Sequence, residues 1–194
     1  MAIETLRPNG AGDETSIDAQ YPTSGAHWEK VDEAVADDNA TYVSAYAGTY
    51  QRDLYELPAS SGSGPINKIT VFFRIKSFSG DISAKASIKS GSTVSDGSEV
   101  SRDDNAWETY SYEFATNPDD SAAWEWADID ALQIGVSLKL DFWEASVYCT
   151  QVYVEVDYTK SRIVTMGGKS RANIAKVSGK SMADIVSIGG VPNV

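Results

Sequence analysis

Hydrophobic and polar residues alternate with a period of two along several segments, as in β-strands with one buried face. The clearest segments are "ITVFFRI", "ISAKASI", "LQIGVSLKL" and "VYCTQVYVEVDY". The positions predicted to share a face are Ile69, Val71, Phe73 and Ile75; Ile82, Ala84, Ala86 and Ile88; Leu132, Ile134, Val136, Leu138 and Leu140; and Tyr148, Thr150, Val152, Val154, Val156 and Tyr158. "WETYSYEF" and "YQRDLYEL" alternate less regularly but are rich in aromatic residues, which favour strands.

Turn-forming sequences separate these segments: "SSGSGP", "SFSGD", "KSGS", "SDG" and "TNPDD". One stretch, "SAAWEWADIDAL", predicts a short helix with Ser121 as its N-cap and Glu125 in its first turn. Short strands separated by such turns predict an all-β fold, an antiparallel β-sandwich of the jelly-roll-like type.

The last residues of the chain repeat. From Arg162 to Val194 they divide into units of eleven, "RIVTMGGKSRA", "NIAKVSGKSMA" and "DIVSIGGVPNV", each with Ile at position two, an apolar residue at five and Gly at seven. Capping residues before each Ile and the glycines after it predict about two turns of helix per unit. The apolar faces would be Ile163 with Met166, Ile174 with Val177, and Ile185 with Ile188. Because such short helices are marginal alone in water, these faces need another surface.

Charge is distributed unevenly along the chain. The formal net charge is -12, but residues 160–194 hold six basic side chains and one acid, which leaves ten basic and twenty-seven acidic side chains in residues 1–159. Side chains alone therefore give -17 on residues 1–159 and +5 on residues 160–194. This asymmetry is typical of interaction tails. We expect a β-sandwich domain at 1–159 and a basic C-terminal arm of small helical repeats at 160–194; an acidic solubilising surface with an incidental basic end is the alternative.

Composition also excludes several classes of protein. A net charge of -12 argues against nucleic-acid binding, because phosphate binding requires clustered Lys and Arg. The chain begins "MAIETLRPNG", without a secretory signal, and no apolar run approaches the roughly 20 residues of a membrane span. The single cysteine excludes an internal disulfide. We expect a protein made in the cytoplasm that contacts no membrane, wherever it finally works.

Residues for catalysis are scarce. His27 is the sole histidine and Cys149 the sole cysteine, which argues against a His-bearing zinc site and a Cys–His nucleophile pair. We expect His27 at the surface or an edge and Cys149 as a buried, inert thiol. No spacing singles out a carboxylate pair for glycoside hydrolysis. We therefore predict a protein that is not an enzyme and needs no cofactor.

Two kinds of residue remain as candidate binding groups. The acidic loops "DDNA" at 37–40 and "PDDS" at 118–121 carry oxygen ligands but no calcium-loop motif, so we expect solvated turns and no metal. Tryptophans can stack on sugar rings, although they more often anchor cores and interfaces. Trp124 and Trp126 alternate and cannot both be buried if their stretch is extended, which makes them candidate glycan contacts.

The segments "LRPNG", "HWEKVDEA", "TYV", "YQRDLYELP", "INKITVFFRIK", "IDALQIGVSL" and "CTQVYVEVDY" resemble a family of β-sandwich domains in phage and prophage virion proteins and related surface proteins. The arm is similar to short "I-x-K-I-x-G-V" repeats at the ends of such proteins. The family has no common catalytic motif that can be placed here, so the resemblance implies a structural or attachment role.

We therefore expect a structural subunit of a larger homo-oligomeric assembly, a virion structural or decoration protein or an extracellular filament subunit. Its partners would be copies of itself or other structural subunits, in the virion or outside the cell. The predicted assembly interface comprises Ile163, Met166, Lys169, Ile174, Lys176, Val177, Lys180, Ile185 and Ile188. The alternative is a carbohydrate-binding module on a phage fibre or cell surface.

Overall fold

A computed structural model describes residues 1–142, 144–160, 176–177, 180–181, 187–188 and 191–192. The chain divides into two compact units, Met1–Thr159 and Lys160–Val194. In the first unit, two antiparallel sheets enclose one hydrophobic core. This is a jelly-roll-like antiparallel β-sandwich, which confirms the fold that the alternation predicts.

The first sheet has the strand order β10–β6–β12–β4–β3, with β1 also paired to β12. Its strands are β1 (Ala2–Leu6), β3 (Ala19–Tyr21), β4 (Tyr42–Ala45), β6 (Ile66–Ser77), β10 (Glu108–Phe114) and β12 (Val147–Tyr158). The long strands β6 and β12 lie side by side at its centre. They therefore carry the largest part of both the buried and the outer face.

The second sheet has the strand order β2–β5–β11–β7–β8, with β9 also paired to β7. Its strands are β2 (Gly10–Thr15), β5 (Gln51–Glu56), β7 (Ile82–Ser90), β8 (Thr93–Asp96), β9 (Val100–Arg102) and β11 (Gln133–Leu140). A short 3-10 helix (His27–Lys30) lies between β3 and β4, and α1 (Trp126–Asp130) precedes β11. None of the helices in the described residues has the length and apolarity to cross a membrane.

The core confirms the predicted faces of three strands. The apolar positions predicted for β6 and β7 are at most 1% exposed, and those predicted for β11 are at most 5% exposed. The helix, by contrast, begins later than predicted. Ser121 has a left-handed backbone with φ of 64° and is not an N-cap, and the helix starts at Trp126 after Glu125. There the Asp128 carboxylate accepts a hydrogen bond from the Glu125 backbone N–H at 2.9 Å, which satisfies one free donor of the first turn.

The described residues of the second unit are extended. β13 (Lys176–Val177) pairs with β14 (Lys180–Ser181), and β15 (Ser187–Ile188) pairs with β16 (Val191–Pro192), both antiparallel. At Lys176, Val177, Lys180 and Ile188 the expected helix is therefore corrected to short strand pairs. The other predicted interface positions, Ile163, Met166, Lys169, Ile174 and Ile185, lie outside the described residues.

Candidate functional site

The outer face of the first sheet carries the candidate site. On β6, Ile69, Val71, Phe73 and Ile75 face the core, so the alternate side chains face outward: Lys68, Thr70, Phe72, Arg74 and Lys76. Neighbouring strands then place their own outward side chains beside these. Which side chains meet therefore depends on strand order and register.

A bulge in β12 decides what lies beside Lys76. Pairing with β6 runs from Cys149 opposite Ile75 to Gln151 opposite Arg74, so Thr150 is an extra residue. Cys149 and Val152 are both fully buried. Regular alternation predicts Tyr148 on the same face as Val152; because of the bulge this is wrong, and Tyr148 faces outward. It lies opposite Lys76 on one side and Ser44 on the other.

Aromatic side chains from successive strands meet along this outer face. The Tyr21 and Tyr42 rings stack with centroids 5.5 Å apart, and the Tyr42 and Tyr148 rings meet edge to face at 4.9 Å. Lys76 Nζ lies 5.5 Å from the Tyr148 ring centroid and 5.0 Å from that of Trp107. We call Tyr21, Tyr42, Lys76, Trp107 and Tyr148 the aromatic band. With about 4.8 Å between neighbouring strands, the band spans roughly 19 Å across the sheet.

One end of the aromatic band is open to solvent. Tyr21 is 51% exposed, and Phe78 and Tyr46 beside the band are 59% and 51% exposed. The Phe78 ring packs edge to face on Tyr148 at 6.3 Å, and the Tyr46 hydroxyl lies 3.0 Å from Ser44 Oγ. The band therefore offers aromatic surface together with phenol hydroxyls, a combination suited to a ligand that is partly apolar and partly polar.

Burial raises the pKa of the Tyr42 and Tyr148 phenols. Ordinary tyrosine already ionises near pH 10, so both phenols are neutral at physiological pH. Each neutral phenol can donate as well as accept a hydrogen bond. The band therefore presents neutral rings with one cation, Lys76, among them.

The loop before β4 orients the cation and the tryptophan. Asn39 Oδ1 accepts hydrogen bonds from Lys76 Nζ at 2.7 Å and from Trp107 Nε1 at 3.2 Å. Its neighbour Asp38 binds Arg74 with both carboxylate oxygens, at 2.6 Å and 3.0 Å. This bidentate pair ties the loop to β6. Lys76 and Trp107 are thus positioned by the loop as well as by the sheet.

The other end of the same face is a charged groove of about 550 Å³, lined among others by Ile3, Lys68, Phe72, Glu113, Glu155 and Asp157. Lys68 donates a 2.5 Å hydrogen bond to Glu113, which raises the pKa of the lysine. Phe72 stacks on Tyr153 with centroids 4.7 Å apart, and the Arg7 guanidinium covers Tyr153. The aromatic rings at this end are therefore engaged with each other and with Arg7.

The two tryptophans predicted as glycan contacts have other surroundings. Trp124 is 3% exposed and donates its indole N–H to the Phe114 carbonyl at 2.9 Å. It is a core residue without a face for a sugar ring, so the expectation is corrected for Trp124. Trp126 is half-buried, donates to the Gly64 carbonyl at 2.7 Å and packs edge to face on Tyr158. A glycan contact at Trp126 stays a prediction.

His27 and Cys149 both belong to the interior. Cys149 is fully buried, and burial raises the pKa of its thiol to about 12, as expected for an inert cysteine. His27, expected at the surface or an edge, is largely buried, and its Nδ1 lies 2.6 Å from the fully buried Asp53 carboxylate. Asp53 also accepts hydrogen bonds from the Ile17 backbone N–H and the Tyr55 hydroxyl. These contacts tie the 3-10 helix to β5.

The acidic loops use their carboxylates internally. Asp37 accepts hydrogen bonds from Thr41 and Thr150, and Asp119 accepts one from Thr93 at 2.8 Å. The bond from Thr93 lowers the pKa of Asp119. Within residues 1–142 and 144–160, no three His, Cys, Asp or Glu side chains are grouped so that they could hold a metal ion.

No protein-family model matches the chain, and no curated protein matches its sequence. Solved structures do match. The CBM36-1 domain of a multidomain xylanase from the hindgut metagenome of Trinervitermes trinervoides has 10% identity and a TM-score of 0.41, over 82% of this chain and all of that one.

A family 11 carbohydrate-binding module from Clostridium thermocellum, solved with a β-1,3-1,4-mixed-linked tetrasaccharide, has 16% identity and a TM-score of 0.37, over 82% and 91% of the two chains. Eiger TNF from S. frugiperda has 10% identity and a TM-score of 0.33, over 84% and 96%. One fold hosts unrelated functions, so the argument for function rests on this chain's own residues.

Proposed function

We propose that residues 1–159 form a non-catalytic carbohydrate-binding domain, and that the aromatic band is its binding surface. The observation that carries the proposal is the row of rings on the outer face of the first sheet: Tyr21, Tyr42 and Tyr148 from three strands, and Trp107 directly before β10. The faces of sugar rings are lined by C–H groups that pack on aromatic rings, while their hydroxyls require hydrogen-bonding partners at the edges. The phenols, Lys76 and Asn39 supply such partners.

The dimensions of the band favour an oligosaccharide over a single sugar. A band of roughly 19 Å extends across several strands. Rings at both ends of it can then contact different sugar residues of one chain. The Tyr21 end of the band is 51% exposed, so a longer polysaccharide can extend beyond the band at that end.

Substitution of one ring tests this proposal. Tyr148→Ala should weaken binding to any glycan found on an array by about tenfold or more, measured by calorimetry. Tyr153→Ala is the matched control, because Tyr153 is a half-buried tyrosine on the same strand and face but stacks on Phe72 in the charged groove. Equal losses from both substitutions, or no glycan bound by the wild-type protein, would contradict the proposal.

We also propose a role in assembly for residues 160–194, in a virion or an extracellular filament. The supporting observation is the charge contrast between -17 on residues 1–159 and +5 on residues 160–194. Opposite charges favour oriented association of copies and make it sensitive to salt. A glycan-binding domain on such an assembly would combine both proposals.

Truncation at Thr159 tests the role in assembly. The truncated protein should keep its β circular dichroism spectrum and sediment as a smaller species than the full chain. The full-length double substitution Ile174→Asp with Ile185→Asp should do the same without shortening the chain. Identical sedimentation of all three proteins would contradict an assembly role for these residues.

A further inference from the structure

Lys76 differs from the other cations on the outer face of β6. Lys68 is paired with Glu113 at 2.5 Å and Arg74 with Asp38 at 2.6 Å. Lys76 Nζ donates to the neutral Asn39 amide, and among the described carboxylates none forms an ion pair with it. An ammonium group has three donors, so two remain for a ligand.

The lack of an ion pair between Lys76 and the described carboxylates is notable because carboxylates are abundant in this domain. Residues 1–159 contain twenty-seven acids and ten basic side chains. The basic side chains that form ion pairs with carboxylates are Arg52, Lys68, Arg74, Lys89, Arg102 and Lys139. Lys76 is instead surrounded by the Trp107 and Tyr148 rings, which attract a cation without neutralising it.

We propose that Lys76 binds the carboxylate of an acidic sugar whose ring stacks on the aromatic band. The ligand class is therefore an oligosaccharide that contains uronic acids. This inference rests on the proposed glycan-binding function and specifies its ligand. A hydrogen bond between an ammonium and a carboxylate is about twice as strong as a neutral one, and the neighbouring rings exclude water from one side of it.

The net charge of the domain limits how this ligand is recognised. The side chains of residues 1–159 carry a net charge of -17, which repels a polyanion at long range. At physiological salt this repulsion is screened beyond about 8 Å. Recognition then depends on the contact between one carboxylate and Lys76. The protein should therefore select acidic sugars by a local contact and not by general basic charge.

The test compares acidic oligosaccharides with their neutral methyl esters. The probes are tetragalacturonate, tetramannuronate and the fully methyl-esterified form of each, titrated by calorimetry into the full chain at 0.15 M NaCl. At least one acid should bind about tenfold more tightly than its ester. Lys76→Gln should remove this preference, because the acid should lose much more affinity than the ester, which loses only a neutral hydrogen bond. Lys85→Gln is the matched control, because Lys85 lies 4.3 Å from the Tyr50 ring on the second sheet.

Each result is informative. If only the esters or other neutral glycans bind, or if Lys76→Gln weakens acid and ester equally, the inference about acidic sugars fails while the glycan-binding proposal stands. If no probe and no glycan on an array binds, both fail. If Lys85→Gln abolishes the preference as Lys76→Gln does, the site is misplaced and the inference fails. Thermal melts of both variants confirm that they are folded.

Discussion

The two ends of the outer face of the first sheet differ in chemistry although β6 and β12 run through both. The aromatic band collects Tyr42, Tyr148 and Trp107 around Lys76. The charged groove pairs Lys68 with Glu113 and stacks Phe72 on Tyr153 beneath Arg7. At the groove, the charged side chains pair with one another and the rings stack on one another. At the band, ring surface and two hydrogen-bond donors of Lys76 remain for a ligand. The two ends of one sheet face therefore differ in their capacity to bind a ligand.

The largest loss of stability should come from a substitution on the buried face of β12, the strand that runs through both ends of the outer face. Val154 is fully buried on β12, so Val154→Asp would place an unpaired charge in the core and should destabilise the fold by about 3–5 kcal/mol. Glu155→Gln, on the outer face in the wall of the groove, should change stability by less than about 0.5 kcal/mol. Thermal melts compare the two. The opposite ranking would mean that the faces of β12 are misassigned.

Deletion of Thr150 tests a feature that affects the aromatic band in particular, namely the bulge that places Tyr148 on the outer face. Without this extra residue, regular alternation would turn Tyr148 toward the core or move Val152 out of it. We expect a loss of about 2–4 kcal/mol in unfolding free energy and loss of glycan binding. Thr150→Ala keeps the bulge and removes the contacts of its hydroxyl with the Thr41 carbonyl and the Asp37 carboxylate, so it should cost about 1–2 kcal/mol and leave binding in place. A deletion variant that still binds would show that Tyr148 does not need the bulge.

Asp38→Asn tests whether the loop positions the band. The amide tolerates the left-handed backbone at φ of 55° but loses the charged pair with Arg74. Because the pair is partly exposed, we expect a cost of about 1 kcal/mol or less. Glycan affinity should fall several-fold, since Asn39 would hold Lys76 and Trp107 less firmly. Asp157→Asn in the groove is the matched substitution and should leave glycan affinity unchanged; an equal loss from both would contradict a positioning role.

The smallest effect concerns alkaline pH. The pKa of Tyr42 is raised by burial, so above pH 10 the unfolded chain releases a proton that the folded protein keeps. Stability should therefore fall as the pH rises through 10 toward the folded pKa. The buried Cys149 thiol, whose pKa is raised to about 12, adds to this decline from about pH 9. The pKa of Lys68, raised by Glu113, acts in the same direction, because its contribution is present below the unfolded value and lost above the folded one.

Substitutions separate the contributions of Tyr42 and Lys68 to the alkaline loss. Tyr42→Phe removes the ionisable phenol in the band, and Lys68→Met removes the ionisable ammonium in the groove. Each substitution should flatten the decline in melting temperature above pH 10. A decline that neither substitution changes would assign it to other groups. Glycan binding by the Lys68 variant should be unaltered at pH 7.

The faces of the regular strands were predictable from alternation alone. In β6, β7 and β11 each apolar position predicted to be buried is buried, because the pleat sends successive side chains to opposite faces wherever pairing is regular. The same rule failed at Tyr148, because the bulge at Thr150 is a property of how β12 pairs with β6. The place of Tyr148 in the aromatic band was missed for this reason. A tyrosine among apolar residues carries no local signal that distinguishes core from surface.

The strand with the sequence GAGDET shows a second limit of prediction from the sequence, namely a strand without an alternating pattern. It shows no apolar alternation, yet β2 (Gly10–Thr15) pairs with β5. At Gly12 an added Cβ would lie 2.6 Å from the Leu54 carbonyl oxygen, so the close approach of the neighbouring strand requires glycine. Neither the pairing nor this requirement can be read from the segment itself, because both depend on residues of β5 that are distant in the sequence.

The sequence by itself determined the β class, the buried faces of the regular strands, the inert buried cysteine and the contrast in charge between residues 1–159 and 160–194. These follow from local periodicity, burial preference and counting. The tertiary structure decided that Trp124 lies in the core, that Tyr148 faces outward, and that Lys76 lies among aromatic rings while Lys68 and Arg74 are paired with acids. The physical reason is that a strand's own pleat sets the direction of each side chain, whereas strand order, register and one bulge set its neighbours.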